Sequence, residues 1–394
     1  MTRKTLAVVL GIRPDVIRAS LVLNQLRARE DFDVQFIWSG QHYSDNLKDV
    51  FFRELQVAPP DVELQATGET DAEVTASVIA RLYPVLEKLQ PEAAVFLGDT
   101  NTVVGCLAAA QLNLPIVHIE GCMRSYDWRM PEEKYRTTID HLSDVIYAYF
   151  PEYKQQGIAE GLNPDSIVVV QNLIVDVLEA HYFQKKDRYD RMATADFFQK
   201  RGLRRGEYYL MTCHRRENVE TPASLAAVLA LVGQAGRPVY FLAGYRTQKN
   251  LKRFGLQLPG NVILVDPIGY EEMLVLMVNS RGVITDSGTV VEETAVLQVP
   301  SLQMRRSTER PQVYDCRSSV KFDPARPGDY PAAEIYRKLD SLVGTRWDHK
   351  LGDGKASDRI VADLAQRLQD GGFRRHLPEK VHLDIRRSWR EDGL

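Results

Sequence analysis

Residues 94–143 read AVFLGDTNTVVGCLAAAQLNLPIVHIEGCMRSYDWRMPEEKYRTTIDHLS. Two short apolar runs, Ala94–Leu97 and Ile116–Ile119, read as strands. Continuous apolar strands separated by helices predict a parallel sheet covered on both faces. Asp99, Glu120 and Glu132 fall at the ends of these runs or in the loop that follows one. Carboxylates there suit a cleft better than a core, because open parallel sheets bind ligands beyond the carboxyl ends of their strands. Three acids on such an edge point to proton transfer or to recognition of sugar hydroxyls.

The same alternation extends in both directions. Leu6–Leu10, Val34–Trp38, Val145–Tyr147 and Ile167–Val170 read as further strands, with helical spacing at Ile17, Leu21, Leu23 and Leu26 and at Val74, Val78, Leu82 and Leu86. A second series follows Leu178: Tyr208–Met211, Val239–Leu242, Val262–Val265, Gly282–Thr285 and Ser301–Met304, alternating with helices such as Leu225–Val232 and Glu271–Val278. The expected fold is α/β, with two doubly wound Rossmann-like domains facing a central cleft. The expected boundaries are 1–171 for the first domain, carrying the acids, and 172–372 for the second, with a crossover near Gln171–Leu178. A polar, Arg-rich tail, 373–394, follows. A length of 394 residues exceeds what one mid-sized core organises.

Hydrophobic content of 44% and charged content of 26% are values of a globular chain. A net charge of −3 argues against a dedicated nucleic-acid or anionic-membrane binder. Cys106, Cys122, Cys213 and Cys316 lie far apart with no CxxC pair, which fits reduced thiols in a cytoplasmic protein and supplies no zinc site. The opening MTRKTLAVVLGI is expected to be a first strand, since its apolar run is short and Arg13-Pro14-Asp15 follows without a cleavage site.

Other strand-to-helix turns carry chemistry. Gly11-Ile12-Arg13-Pro14-Asp15-Val16-Ile17-Arg18 could let backbone approach an anion at a helix N-terminus, with Arg13 and Arg18 adding charge suited to a diphosphate. A plain strand–helix turn remains the alternative, since no GxGxxG is present. In Thr285-Asp286-Ser287-Gly288-Thr289-Val290-Val291-Glu292-Glu293, Thr289 and Glu292 fit a capping box. Glu293 has no such explanation and suits the two hydroxyls of a ribose, with the amides of Ser287 and Gly288 facing phosphate. His214 sits beside Arg215 and Arg216 after a buried strand, which favours a polar site and a depressed imidazole pKa. His118 shares a strand with Glu120 and reads as a supporting residue. Arg305, Arg306, Glu309 and Arg310 form a charged cluster expected to be partly a solvated face. No metal-ligand spacing and no GxSxG elbow are present.

Together GIRPDVIRAS, SGQHYSDNL, GDTNT, HIEGCMRSYDWRMPEEKYR, HRREN, DPIGYEEM and TDSGTVVEE…TERP resemble the non-hydrolysing UDP-N-acetylglucosamine 2-epimerases, in order and approximate spacing, from about Gly11 to Pro311. The resemblance implies a GT-B-like fold and a C-terminal segment that crosses back to the first domain. It implies inversion at C2 of a UDP-2-acetamido sugar with neither metal nor NAD as cofactor, by elimination of UDP to a 2-acetamidoglucal and its re-addition. It assigns Asp99, Glu120 and Glu132 to proton abstraction and delivery, and His214 to the diphosphate and departure of UDP. Arg13, Arg18, Arg136, Ser287, Gly288, Thr289, Glu293 and Arg310 fall to substrate binding. A homodimer and a UDP-sugar partner, without nucleic acid or membrane, are implied as well.

The chain departs from the family pattern at Glu120-Gly121-Cys122, where Glu-Ala-Gly is usual, and at Gly288-Thr289, where Gly-Gly is usual. Gly244 stands where the family's effector-binding histidine is expected, while Gln41 and His42 are retained, which predicts near-hyperbolic kinetics. The SYDWRMPEE wording resembles branches acting on 6-deoxy or uronate UDP-HexNAc sugars. Three alternatives stay open: a hydrolysing 2-epimerase, a glycosyltransferase of the same architecture, and a non-catalytic UDP-sugar module.

Overall fold

The first sheet is built from seven described strands: β1 (Lys4–Leu10), β2 (Phe32–Trp38), β3 (Val62–Glu63), β4 (Ala93–Leu97), β5 (Ile116–Ile119), β6 (Val145–Ala148) and β7 (Ile167–Val169). They lie in the order β3-β2-β1-β4-β5-β6-β7, all parallel. The computed structural model describes residues 3–40 and 45–373, without the side chains of 45–49. Gln41, His42 and the tail from residue 374 onward lie outside the described residues. A second parallel sheet has six described strands: β8 (Tyr209–Thr212), β9 (Val239–Leu242), β10 (Val262–Val265), β11 (Gly282–Thr285), β12 (Ser301–Met304) and β13 (Ser319–Phe322). Their order is β10-β9-β8-β11-β12-β13. Among the described residues, no helix is long and apolar enough to cross a membrane.

The expected α/β class and both strand series are present, with β3 and β13 added at sheet edges. β3 has two residues, too few to set a period, and β13 reads Ser-Val-Lys-Phe, half-polar as an edge strand is. Strand order reverses between β1 and β4 in one sheet and between β8 and β11 in the other. Ligands collect at such switch points. The loops there are the ones the sequence marks: Gly11 onward, Gly98–Thr102, His214–Asn218 and Asp286–Thr289.

Helix Leu173–His181 joins the two halves, packing on helix Arg13–Ala28 from one and Gly288–Val296 from the other. Asn172 caps it through Oδ1 on the Ile174 amide, and its Nδ2 donates to Glu292 at 2.7 Å. Helix Ala356–Gln369 then returns to the first sheet. Gln25 donates to Asp358 and Tyr147 to Asp363. This helix, which lies within 172–372, packs on helix Arg13–Ala28 of the first half.

Candidate active site

Gly11 serves packing here. A Cβ at that position would lie 1.7 Å from Thr102 Oγ1, so only glycine lets the β1 turn rest on the loop after β4. The amides of Gly11 and Ile12 are not free for an anion: both donate to Asp15 Oδ2, at 3.2 and 3.1 Å. Burial raises the Asp15 carboxyl to about 6 against the pull of Arg18. Arg13 remains at the turn, its guanidinium 4.8 Å over the Phe51 ring. The backbone amides of this turn are therefore taken by Asp15, and Arg13 and Arg18 are its cationic side chains.

Asp99 follows the left-handed Gly98 (φ 82°) at the end of β4 and pairs with Arg136. Burial would raise its carboxyl, but Arg136, Arg215 and Arg310 outweigh it and hold the group at about 2. His118 steadies this turn. Its Nε2 meets the Gly98 carbonyl at 2.8 Å and its Nδ1 meets Asp140 at 2.7 Å, which fits the supporting role read from the sequence.

Glu120 takes φ 74°, and Cys122, two residues on, takes φ 63°. Left-handed backbone costs a non-glycine residue about 1–2 kcal/mol, and here it turns the chain sharply off β5. The turn delivers Glu120 to Arg18 and Arg310, both buried, with Tyr149 donating to it at 3.2 Å. Cys122 occupies the position where the family pattern has its glycine. Glu132, in the first turn of helix Pro131–Leu142, is less restrained: a quarter exposed, with Arg215 at 3.8 Å. Burial pushes its carboxyl upward, Arg215 opposes and the nearby Asp99 charge adds to the rise.

From the second sheet, Asp286 is fully buried and accepts from the amides of His214 and Arg215 and from Asn218. It fixes the turn that presents His214. Half of that imidazole opens to the cleft. The cleft walls still crowd it, and this burial, with Arg215 assisting, pushes its pKa below the usual value despite Asp286.

Helix Gly288–Val296 begins at the next loop, and Ser287 is its N-cap, accepting from the Val290 amide at 3.4 Å. The expected capping box on Thr289 is therefore not formed. Glu292 instead accepts from Asn172 and pairs with Arg310 at 3.1 Å. The first-turn amides of Gly288 and Thr289 have no carbonyl within the helix to bond. Glu293, also buried, accepts from Tyr270 at 2.8 Å, and burial raises it to about 7.

A Cβ on Gly288 would stand 2.5 Å from Arg310 Nη1. Gly288→Ala should therefore displace that arginine and lower stability by about 1–3 kcal/mol, the usual cost of overpacking. Urea unfolding checks this; a wild-type midpoint would refute the clash.

The charged cluster after Met304 is mostly interior. Arg305, Glu309 and Arg310 are buried and only Arg306 is exposed, so the solvated-face expectation holds for Arg306 alone. Glu309 joins Arg305 at 3.0 Å and Arg310 in direct contact, with Arg136 at 3.9 Å and Arg215 at 3.8 Å. Arg18, Arg136 and Arg310 are thus occupied by carboxylates in this structure. Glu309, Arg215, Asp286 and Tyr270 are not among the site residues read from the sequence; the signal available was their place in TERP, HRREN, TDSG and DPIGYEEM respectively.

Of the residues expected at the site, the structure joins Asp99 to Arg136, and Glu120 to Arg18 and to Arg310 of the second half, while Glu132 stands 3.8 Å from Arg215. His214 and the Ser287–Thr289 turn come from the second half, where Asp286 accepts from the His214 amide and Ser287 caps the helix that carries Glu293. No group of three or more potential metal ligands is found among the described residues.

The family model for UDP-N-acetylglucosamine 2-epimerase matches residues 24–365. A UDP-N-acetylglucosamine 2-epimerase of Methanocaldococcus jannaschii is 32% identical, over 91% of this chain and 98% of its own. A Pseudomonas aeruginosa UDP-2,3-diacetamido-2,3-dideoxy-D-glucuronate 2-epimerase is 31% identical, over 91% and 98%. The crystal structure of the M. jannaschii UDP-GlcNAc 2-epimerase in complex with UDP-GlcNAc and UDP superposes with a TM-score of 0.83 at 30% identity, covering 92% of this chain and 99% of the other.

Proposed function

Because this chain belongs to the UDP-N-acetylglucosamine 2-epimerase family, we propose that it inverts C2 of a UDP-2-acetamido sugar without hydrolysis. The C2–H and C1–O bonds break as UDP leaves, giving a 2-acetamidoglucal. UDP then returns to C1 while a proton is delivered to the opposite face of C2. The observation that supports this reading is Arg215, from the loop after β8 in the second half, 3.8 Å from Glu132 in helix Pro131–Leu142 of the first. Acids able to move a proton and cations able to hold a departing diphosphate share one place.

The roles follow from environment. Glu132, whose carboxyl burial pushes upward against the pull of Arg215, suits proton transfer as a general acid or base. Asp99, kept ionised by Arg136, is the carboxylate facing the same space. Glu120 is neutralised by two guanidiniums, and ligand binding that draws on Arg18 or Arg310 would free it. His214, with a lowered pKa, Arg13 and the amides of Gly288 and Thr289 suit the diphosphate. Glu293 suits the ribose.

Incubation in deuterated buffer with UDP-GlcNAc, and separately with the 2,3-diacetamido uronate analogue, followed by NMR, tests the reading. Deuterium at C2 in intact UDP-sugar is expected with at least one. Free 2-acetamido sugar would instead establish hydrolysis, and no exchange with either would sink the epimerase assignment. The uronate belongs in the test because the Pseudomonas relative acts on that sugar.

The raised Glu293 carboxyl gives a pH signature. Only its ionised form accepts both ribose hydroxyls, and ionisation is completed as pH rises through about 7. Affinity for UDP-glucose, whose diphosphate does not titrate near neutrality, should rise about tenfold between about pH 6 and about pH 8. Glu293→Gln should flatten that dependence. Calorimetric titrations of both proteins at the two pH values check it, and identical slopes would remove Glu293 from the ribose.

A further inference from the structure

The two sheets also meet at a contact that none of the reacting groups requires. Glu54 ends a helix of the first half, Asp45–Glu54. Its Oε2 accepts the amide hydrogens of Tyr270, at 2.6 Å, and Glu271, at 3.1 Å, in the first turn of helix Tyr270–Val278 in the second half. That helix has Gly269 as its N-cap, with no side chain of its own to offer. A Cβ at 269 would lie 2.6 Å from Glu54 Oε1 and 3.0 Å from Val50 Cγ1, so the glycine makes room for the borrowed cap. A carboxylate there satisfies orphan amides and faces the positive end of the helix.

Around this cap the contacts run on without a break. Phe51, on the same helix as Glu54, packs against the Tyr270 ring with centroids 6.4 Å apart, and it carries the Arg13 guanidinium at 4.8 Å. Tyr270 is itself buried, and its hydroxyl donates to Glu293. One path of direct contacts therefore joins Arg13, at the diphosphate side of the cleft, to Glu293, at the ribose side. It crosses between the sheets at Phe51 and Tyr270.

We propose that Tyr270 is a positioning residue for the ribose-binding carboxylate, and that Glu54 links its placement to closure of the two halves. The inference rests on Glu293 receiving the nucleotide, as proposed above. Separating the halves would break both Glu54 bonds and the Phe51–Tyr270 contact, leaving the Tyr270 helix uncapped. A nucleotide held by Glu293 therefore favours the closed arrangement, and closure favours the nucleotide by the same factor.

The test compares wild type, Tyr270→Phe, Glu54→Ala and Glu54→Gln in three measurements: UDP affinity by calorimetry, UDP-induced compaction by small-angle X-ray scattering, and steady-state kinetics. Tyr270→Phe keeps the ring contact and loses the hydroxyl. It should weaken UDP about tenfold, as for a lost bond to a carboxylate, with KM rising in proportion and kcat falling by less. Glu54→Ala should bind UDP more weakly and lose the compaction, with Glu54→Gln between it and wild type. Far-UV circular dichroism confirms that each variant is folded. Wild-type UDP affinity in Tyr270→Phe and Glu54→Ala, or a fall in kcat at constant KM, would overturn the proposal while C2 exchange by wild type left the epimerase reading standing. Failure of wild type to bind UDP at all would overturn both.

Discussion

Asp99→Asn, Glu120→Gln and Glu132→Gln are each expected to lower C2 hydrogen exchange by about 10²–10⁴, the range for loss of a general acid or base. The three should differ in what else they change. Glu132 has Arg215 as its cationic neighbour at 3.8 Å and is partly open to the cleft, so Glu132→Gln should leave UDP affinity and stability close to wild type. Asp99→Asn removes the partner of Arg136, which keeps Glu133 at 2.6 Å, and should cost some stability. Glu120→Gln takes the charge from between Arg18 and Arg310 and should lower both turnover and stability. Exchange rates by NMR, read beside calorimetric UDP affinities, check all three. Near-normal exchange in all of them would remove these acids from the chemistry.

Glu309→Ala is expected to be the most destabilising of the substitutions considered, by about 3–5 kcal/mol, the cost of breaking a buried ion pair from one side. Arg136, Arg215, Arg305 and Arg310 gather on that carboxylate, and its removal leaves like charges facing each other away from water. Burial alone would push Glu309 upward, yet the four guanidiniums prevail and hold it well below the usual carboxylate range. A carboxyl with a depressed folded-state pKa contributes fully above its unfolded value and loses that contribution as pH falls toward the folded one. The gap between wild type and Glu309→Ala should therefore be wide at neutral pH and shrink in acid below the ordinary glutamate range. Urea unfolding across pH measures it; a constant gap would mean the loss is one of packing.

The alternation of apolar strands and helical periods from Leu6 to Met304 was enough to read two doubly wound sheets, because burial on both faces leaves that pattern in the chain itself. The order and spacing of GDTNT, HIEGC, HRREN and TDSGT also marked turns that follow strands of the two sheets. Those properties are local: strand, turn and helix start lie within a few residues of each other.

Other features depend on residues far apart in sequence. Glu309 belonged to a charged cluster with Arg305, Arg306 and Arg310 that the sequence left partly to a solvated face, and only the fold brings Arg136 and Arg215 onto it. Thr289-x-x-Glu292 has the spacing of a capping box, but Asn172 and Arg310 offer Glu292 stronger partners than a helix amide, and Ser287 takes the cap. The Gly11 turn looked open to an anion until Asp15 filled its amides. Glu54 resembles any polar helix end, since the amides it caps lie more than two hundred residues away. The sequence by itself determined which elements form and where the chain turns, since hydrophobic period and turn chemistry act locally. Which charges share one buried space was decided only by the tertiary structure, because electrostatic pairing follows distance in space.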